Sequence, residues 1–431
     1  MKIGQARIDL HSGLEKVTNN KGLKFVSLFS GAGGLDLGLK TAGFKNVLCV
    51  EQDEFCLNTL RANDKKIKLS SESDIFKMLA SKIIKESGVK KRQLTLLVGG
   101  PPCQPFSKSS YWANSNSSRM DDPRAKCVSE FMRVVNDLLP KVVVIENVTG
   151  IGYSDKNDGL KFIRSRFKEI NRDNKVEYKP VVEVVNAADY GVPQQRKRIF
   201  IIASRDGNVF KFPEARFSEN GKLGEKDAEL YRTTWDAIGD LDHGNEESDL
   251  ELRGKWAGLL PSIPEGQNYL WHTQRMDGLP LFGWRTRYWS FLLKLSRNKP
   301  SWTITASPGP ATGPFHWRNR NLSVRELARL QTFPDNYVFS GPYREQVKQI
   351  GNSVPPAIGE LIGLEVRRQF FSNRVRHKLK LIPEKNLNKQ QVIRLKKVPQ
   401  KYFELIDRHK EHPGVGKGPG ANSALRKRQD S

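Results

Sequence analysis

The sequence predicts an α/β protein in which helices cover both faces of a parallel sheet. Short apolar runs alternate with stretches of helical spacing from residue 24 to about residue 205, and a repeated strand-then-helix pattern is typical of such a sheet. The chain has 431 residues, which is enough for a large core and for two or three domains. The alternation stops near residue 210, so we expect an irregular second domain after the sheet.

Six apolar runs are the candidate strands, and helical spacing separates several of them. The strand-like runs are "KFVSLFS", "NVLCVEQD", "LTLLVGG", "KVVVIENV", "KPVVEVVNAADYGVP" and "RKRIFIIASR". The helix-like stretches are "LDLGLKTAGF", "EFCLNTLRAN" and "VSEFMRVVNDLLP". In open α/β sheets, ligands bind beyond the carboxyl ends of the strands, so the residues that follow these runs are the candidate site.

Residues 211–322 lack the α/β alternation and are rich in Gly, Pro and turns. Seven of the eight tryptophans lie between Trp235 and Trp317, and we expect most of them in the core of a second domain. Helical spacing returns in "SVRELARLQTFP" and "SVPPAIGELIGLEVRRQFF", and Ser323 with Glu326 is a candidate capping box for the first of these helices.

The charge of the chain favours a polyanionic partner. Lys and Arg total 72 against 47 Asp and Glu, a formal net charge of +25. Nucleic acid is the leading candidate, and an anionic membrane surface is the alternative. The N-terminus has no apolar core for a signal peptide, and no run reaches the roughly 20 apolar residues that a membrane span needs. Four cysteines without paired CxxC spacing predict neither a zinc cluster nor disulfides, and a reducing cytoplasm fits best.

The stretch "GGPPCQPFS" places Cys103 in the loop that follows the strand "LTLLVGG". The two prolines fix the backbone and remove two amide donors, which suits a side chain that must be held in one direction. The alternative is that Cys103 is a small buried apolar residue, the commoner fate of a free cysteine.

The stretch "FVSLFSGAGGLDLGL" predicts a cofactor site. Gly31, Gly33 and Gly34 lie between a strand and a helix, and Glu51 ends the next strand 20 residues after Gly31. Such a turn lets a ligand approach the backbone, and the acid can accept hydrogen bonds from a ribose. The spacing is not GxGxxG and the turn has no Arg or Lys, so S-adenosylmethionine fits better than NAD. Asp74 is a candidate for the adenine amino group or, equally, a helix cap.

Six motifs occur in a fixed order along the chain: "FSGAGG", "PPCQPFS", "ENV", "QQRKRIF", "RELARLQTFP" and "GNSVPPAIG". With them, the chain closely resembles the DNA cytosine-5 methyltransferases of bacterial restriction–modification type over residues 24–370. The resemblance implies a Rossmann-like S-adenosylmethionine-dependent methyltransferase fold with a smaller, irregular target recognition domain. The divisions that follow are an N-terminal extension at 1–23, a catalytic cofactor-binding domain at 24–210, the recognition domain at 211–322, returning helices at 323–372 and a basic tail at 373–431.

The resemblance also implies the catalytic residues. Cys103 is expected to add to carbon 6 of cytosine, because carbon 5 alone is too electron-poor to attack a methyl sulfonium. Glu146 matches the carboxyl that binds the ring nitrogen and the exocyclic amine. Arg196 and Arg198 match the family's paired arginines, and Arg198 resembles the one that holds the base carbonyl. The non-catalytic alternatives are a solvated surface acid for Glu146, and a phosphate contact or a charge on an edge strand for Arg198.

For the cofactor, the resemblance carries over the residues of the Gly-rich turn, of two strand ends, of "ESDI" and of "GNSV". They are Phe29, Gly31, Gly33, Glu51, Asp74, Pro102, Asn352 and Ser353. Gln52 stands where many relatives have an aromatic residue on adenine, and Phe29 or Ile75 is expected to take its place. The loop after Cys103 matches the family's lid, and no metal is expected.

The expected partner is double-stranded DNA, which the enzyme must open by flipping out the cytosine. Arginine is the side chain best shaped for contact with guanine, and the candidates in the recognition block are Arg275, Arg285, Arg287, Arg318 and Arg320. The tail carries 16 Lys and Arg against five Asp and Glu, which favours phosphate contacts. We also expect a cognate restriction endonuclease in the same system, without direct contact. The enzyme is expected to be a monomer in the cytoplasm, associated with the nucleoid. The rival functions are methylation of tRNA cytosine and a catalytically silent DNA-binding regulator.

Overall fold

The computed structural model describes residues 22–102, 123–151, 158–242, 248–284, 288–372, 374–376, 378–406 and 408–409. A six-stranded sheet of order β2-β1-β3-β4-β7-β5 forms its centre. These strands are β1 (Lys24–Leu28), β2 (Lys45–Val50), β3 (Leu96–Gly99), β4 (Val142–Val148), β5 (Val181–Asn186) and β7 (Lys197–Ser204), with the short β6 (Gln194–Gln195) before β7. The predicted α/β fold class is confirmed.

One strand departs from the predicted parallel sheet. β1 to β4 pair in parallel, whereas β7 is antiparallel to both of its neighbours, β4 and β5. The chain between β5 and β7 holds only a short 3-10 turn, Ala187–Tyr190, and β6. A parallel crossover needs a dozen or more residues and usually a helix, so this short connection makes β7 run backwards.

Helices cover both faces of the sheet. They are α1 (Gly34–Thr41), α2 (Glu54–Asn63), α3 (Ala80–Ser87), α4 (Pro123–Leu138), α5 (Asp158–Asn174), α6 (Thr234–Ile238), α7 (Val324–Leu330), α8 (Tyr343–Asn352) and α9 (Pro356–Phe371). Alternate side chains of β4 divide between the two cores: Val143 and Ile145 pack with α4 and α5, and Val142 and Val144 pack with α1 and α9. This alternation follows from the period of two in a strand.

Helices α1 and α9 approach each other through glycines. Gly34 and Gly38 lie four residues apart on α1, and Gly359 and Gly363 have the same spacing on α9. A Cβ on Gly38 would lie 2.2 Å from the carbonyl oxygen of Pro356, and one on Gly359 would lie 2.8 Å from that of Leu35. Because the glycines have no side chain there, the C-terminal helix can seat directly on the helix that follows the Gly-rich turn.

The block after the sheet has little regular structure. It contains the short strands β8 (Phe217–Ser218), β9 (Lys222–Leu223), β10 (Lys226–Asp227), β11 (Glu229–Leu230) and β12 (Ser301–Trp302). One apolar cluster joins Trp235 and Trp317 to α7 and α8, and a second is built around Leu259, Leu281 and Phe282. Of the seven tryptophans expected mostly in the core, only Trp235 and Trp317 are buried. The predicted capping box of Ser323 and Glu326 begins α7.

The chain after α9 forms an extended C-terminal strap, which we define as its described residues 374–376, 378–406 and 408–409. The Glu360 carboxylate on α9 accepts the backbone N–H groups of Lys380 and Leu381 at 2.9 and 3.0 Å. The strap then crosses α6, where the Asn386 backbone N–H donates to Asp236 at 2.9 Å. Near its end, the buried ring of Tyr402 stacks on Trp256. The strap therefore connects α9 to two parts of the block at residues 211–322, at α6 and at Trp256.

Among the described residues, no helix has the length and apolar character that crossing a membrane requires. Within those same ranges, no group of three or more His, Cys, Asp or Glu is placed to hold a metal ion.

Candidate active site

The ends of four parallel strands bring most of the predicted site residues to one edge of the sheet. Leu28 at the end of β1 pairs with Val50 of β2 and Gly99 of β3, and Gly99 pairs with Ile145 of β4. The residues that follow these positions are the Gly-rich turn, Glu51, the "GPP" loop and Glu146. The edge therefore has a cofactor side at β1 and β2 and a second side at β3, β4 and β7.

The turn after β1 is held in left-handed backbone conformations. Phe29, Gly31 and Gly33 have φ angles of 56°, 54° and 75°. A Cβ on Gly33 would lie 2.7 Å from Leu60, whereas one on Gly31 would meet no atom within 4 Å. Gly33 is thus favoured by its left-handed backbone and packs closely on Leu60, whereas Gly31 borders open space that a ligand can approach.

The Glu51 carboxylate is fixed beside this turn. One oxygen accepts the Gly31 N–H at 2.7 Å, and the other accepts the N–H groups of Gln52 and Asp53 at 2.8 and 2.9 Å. These bonds orient the carboxylate without using all of its lone pairs. An oriented acceptor beside an open glycine backbone, with no cation in the turn, fits the uncharged ribose of an adenosine cofactor better than a pyrophosphate.

The other predicted cofactor residues differ in what their side chains can offer. One Asp74 oxygen accepts the Phe76 N–H at 3.0 Å, so the side chain caps a turn in this conformation. Ile75 is buried in the core, which leaves the half-buried Phe29 as the predicted substitute for the missing aromatic residue at Gln52. Pro102, the last described residue before Cys103, is exposed.

Asn352 and Ser353 close α8 beside this side of the edge. The Ser353 hydroxyl donates to the Gln349 carbonyl at 2.7 Å and is therefore engaged inside the helix end. Asn352 is exposed. Of the two, Asn352 has the side chain that a ligand can reach.

The second side of the edge holds a buried ion pair. The Arg198 Nε lies 3.1 Å from a carboxylate oxygen of Glu146, and both side chains are largely buried. Burial raises the pKa of Glu146, while the charges of Arg198 and Arg196 act in the opposite direction. A Cβ on Gly100 would lie 2.9 Å from the other carboxylate oxygen, so a larger residue there would displace the Glu146 carboxylate.

Asn147 ties the same loop to β4. Its side-chain amide donates to the Pro101 carbonyl at 3.1 Å, two residues before Cys103. Cys103 and the expected lid after it lie outside the described residues. The other three cysteines are buried, and burial raises the pKa of the Cys49 and Cys56 thiols. Buried thiols of this kind are poor nucleophiles.

Arg196 is placed differently from the prediction that it is catalytic. Its guanidinium is buried and donates to the carbonyls of Ile304, Gly351 and Ser353 at 3.3, 2.8 and 3.0 Å. A side chain committed to three carbonyls below the surface does not offer its donors to a base. Arg196 is therefore a positioning residue that joins the strand of Arg198 to the "GNSV" segment.

Sequence reasoning gave no role to the glutamines that complete this brace. The Gln194 side chain accepts the Ile304 N–H at 3.1 Å and donates to Gln331 at 3.1 Å, and Gln331 donates to the Ile350 carbonyl at 2.8 Å. The two glutamines stand in "QQRKRIF" and "RELARLQTFP". The glutamines within these two motifs could have indicated the brace from the sequence, because a buried side-chain amide needs hydrogen-bond partners for both of its polar atoms.

Two of the five arginines predicted to read bases are committed elsewhere. Arg320 donates twice to the buried Glu326 carboxylate at 2.8 Å, and Arg318 is paired with Asp242. Both are structural ion pairs. Arg275 is exposed, and Arg285 and Arg287 lie outside the described residues.

The fold described above is that of the α/β methyltransferases. A putative DNA modification methyltransferase of an Escherichia coli prophage has the same fold, with a TM-score of 0.56 and 24% identity over 81% of this chain and 100% of that one. The S. pombe Dnmt2 methyltransferase is similar in structure at a TM-score of 0.54 and 16% identity, covering 80% of this chain and 99% of that one.

The chain belongs to the C-5 cytosine-specific DNA methylase family, whose model matches residues 23–368. It is 36% identical over 368 residues to the type II methyltransferase M.SacI of Streptomyces achromogenes, which covers 80% of this chain and 92% of the relative. It is 33% identical over 347 residues to the type II methyltransferase M1.HphI of Haemophilus parahaemolyticus, over 79% of this chain and 85% of the relative. The strap lies wholly beyond the family match.

Proposed function

We propose that this protein transfers the methyl group of S-adenosylmethionine to carbon 5 of cytosine at one sequence in double-stranded DNA, as the modification enzyme of a type II restriction–modification system. The observation that carries the proposal is the buried Glu146–Arg198 pair at the loop that leads to Cys103. A carboxyl with a raised pKa beside a guanidinium offers a proton donor and a fixed cation to one edge of a pyrimidine.

The proposed chemistry begins with the Cys103 thiolate, which forms a bond to carbon 6 of the flipped cytosine. Glu146 donates its proton to the ring nitrogen as this bond forms, and Arg198 holds the base carbonyl. Carbon 5 thereby becomes nucleophilic and forms a bond to the methyl group, whose bond to the sulfonium sulfur breaks with the electron pair staying on that sulfur. A base then removes the carbon 5 proton, the electron pair re-forms the double bond between carbons 5 and 6, and the Cys103 sulfur leaves. The ring nitrogen returns its proton to Glu146.

S-adenosylmethionine supplies the electrophilic methyl group when it is bound. We assign the ribose to Glu51, the approach of the cofactor to the open backbone at Gly31, and a side-chain contact to Asn352. Gly33 and Ser353 shape the site through packing and through the end of α8. For Asp74 the two alternatives remain, a contact to the adenine amino group and the cap of its own turn.

We further propose that the enzyme acts as a monomer in the cytoplasm, on nucleoid DNA, alongside a cognate restriction endonuclease that it does not contact. The relatives that are named type II methyltransferases support the restriction–modification part of this proposal.

Bisulfite sequencing of DNA from an expressing host tests the proposal. We expect one sequence context to be methylated at carbon 5 of cytosine, and none in a host that carries Cys103→Ala. Bisulfite sequencing of tRNA from the same cells tests the rival substrate. Methylation of tRNA without methylation of DNA would overturn the proposal.

A further inference from the structure

The recognition block presents two neighbouring aromatic side chains to solvent. Tyr288 is 79% exposed and Trp289 is 53% exposed. Burial of an aromatic side chain is worth roughly 1.5–3 kcal/mol, so a fold gains little from displaying two of them together. Exposed aromatic pairs of this kind mark surfaces that are covered by a partner.

The backbone that carries these two residues is fixed in place. Tyr288 has a φ of 67°, a left-handed conformation that non-glycine residues rarely adopt. The Tyr288 carbonyl accepts the Phe291 N–H at 2.8 Å, and the Trp289 carbonyl accepts the side-chain amide of the buried Asn268 at 2.7 Å. An unfavourable φ is thus maintained at a residue whose side chain gains no burial, which is typical of a functional constraint.

The pair lies on the side of the block that adjoins β6, the short strand that precedes β7. The Trp289 ring packs edge-to-face on Trp302, with ring centroids 5.4 Å apart. Trp302 in β12 pairs with Gln195 of β6, and the Thr303 hydroxyl donates to the Gln195 carbonyl at 2.7 Å. Arg198, which pairs with Glu146, follows Gln195 by three residues.

We propose that Tyr288 and Trp289 form a stacking surface for the DNA bases next to the extruded cytosine; this inference rests on the proposed function. Removal of a cytosine from the duplex exposes the faces of its neighbours, and an aromatic ring can cover such a face regardless of base identity. Trp302 supports the surface from behind, and the left-handed Tyr288 turns its own ring outward. The pair is a positioning element that stabilises the opened duplex, and it takes no part in the bond changes at carbon 5.

The test uses four variants of the full chain. Tyr288→Asn removes the ring and keeps a residue that accepts a left-handed φ, and Trp289→Leu removes the π face and keeps an apolar side chain. Tyr288→Phe retains the ring. Phe403→Ala is the matched control, because Phe403 is an exposed aromatic residue on the C-terminal strap at 44% exposure. Thermal unfolding checks that each variant is folded.

Each variant is titrated with two unmethylated duplexes. The first contains the target sequence identified by bisulfite sequencing, with 2-aminopurine beside the target cytosine. The second lacks the target sequence. We expect Tyr288→Asn and Trp289→Leu to bind the first duplex about 5- to 150-fold more weakly and to lose the change in 2-aminopurine fluorescence. Tyr288→Phe and Phe403→Ala should keep both, and binding to the second duplex should be unchanged in all four.

Two results would overturn the inference. In the first, a variant that lacks either ring keeps the 2-aminopurine fluorescence change and binds the first duplex with an affinity within twofold of that of the wild-type protein. The other is an equal loss of affinity for both duplexes, which would make the pair a general DNA contact. Wild-type protein that fails to methylate the first duplex would instead refute the proposed function, so the two failures are distinguishable.

Discussion

Glu146 is the described residue on which the proposed chemistry depends most directly. Burial raises the pKa of its carboxyl, and the protonated form is the one that donates to the ring nitrogen. Glu146→Gln should lower the methylation rate by about 10²- to 10⁴-fold, the usual contribution of a general acid. The rate of the wild-type enzyme should fall as pH rises through the raised pKa, because ionisation removes the donated proton.

Methyl transfer measured against pH checks this prediction. Glu183→Gln is the matched control, since Glu183 is an exposed acid on β5, which is separated from β4 by β7. A Glu146→Gln enzyme with the wild-type rate and pH profile would show that the carboxyl does not act as the acid.

Glu51 is the residue to which we assign the cofactor ribose, because its carboxylate is oriented beside the Gly-rich turn. A hydrogen bond to a charged acceptor is worth about 1.5–3 kcal/mol, so Glu51→Ala should weaken S-adenosylmethionine binding by at least about tenfold. Calorimetry measures this loss, with Glu54→Ala as the control because Glu54 is an exposed acid three residues later. Equal affinity of the Glu51→Ala and wild-type proteins would place the ribose contact elsewhere.

Replacement by lysine should affect different properties at Arg196 and Arg198: stability at the first and kcat/KM for DNA at the second. A lysine at 196 cannot donate to three carbonyls at once, so Arg196→Lys should lower the free energy of unfolding by about 2–4 kcal/mol. Arg198→Lys should leave stability closer to that of the wild-type protein and lower kcat/KM for DNA. Urea unfolding and steady-state kinetics on the same two variants measure both effects. If both variants lose only kcat/KM for DNA, Arg196 contacts the base and its role as a brace is wrong.

At the scale of elements, the contact between α1 and α9 connects the C-terminal half of the chain to the Gly-rich turn. Gly38→Ala would place a Cβ 2.2 Å from the Pro356 carbonyl oxygen, so the helices must separate. We expect a loss of about 1–3 kcal/mol in the free energy of unfolding, as for other overpacked cores. Thermal unfolding checks this, with Gly309→Ala as a control whose added Cβ meets only the Thr312 hydroxyl, at 3.2 Å. Equal losses in both variants would mean that the close approach is not what Gly38 provides.

The sequence predicted the elements whose cause is local. The six strands of the central sheet and the capping box at Ser323 follow from apolar runs and from a short spacing. The reversed direction of β7 was missed because strand periodicity is the same in both directions. The brace at Arg196 and the pairing of Arg320 with Glu326 were missed because their partners are fixed only by the tertiary fold.

At the scale of the whole molecule, the C-terminal strap attaches the block at residues 211–322 to α9, which packs on the central sheet. The sequence suggested only a basic tail, since its contacts with Glu360, Asp236 and Trp256 leave no periodic pattern. A chain ending at residue 372 loses these contacts and the burial of Tyr402, and we expect it to lose a few kcal/mol of stability. A chain ending at residue 409 keeps the strap and should retain both stability and target sequence.

Thermal unfolding and bisulfite sequencing of the two shortened chains check this prediction. If the chain that ends at residue 372 unfolds at the wild-type temperature, the strap does not fasten the block.

The central claim is that a covalent bond forms between Cys103 and the target cytosine, and trapping with 5-fluorocytosine tests it most directly. Fluorine at carbon 5 cannot leave as a cation, so the adduct cannot be resolved after methyl transfer. With S-adenosylmethionine present, we predict a denaturant-stable complex of wild-type protein and DNA that carries 5-fluorocytosine in the target site, and no such complex with Cys103→Ala. A stable complex formed equally by Cys103→Ala, or methyl transfer by that variant above a few per cent of the wild-type rate, would contradict the account.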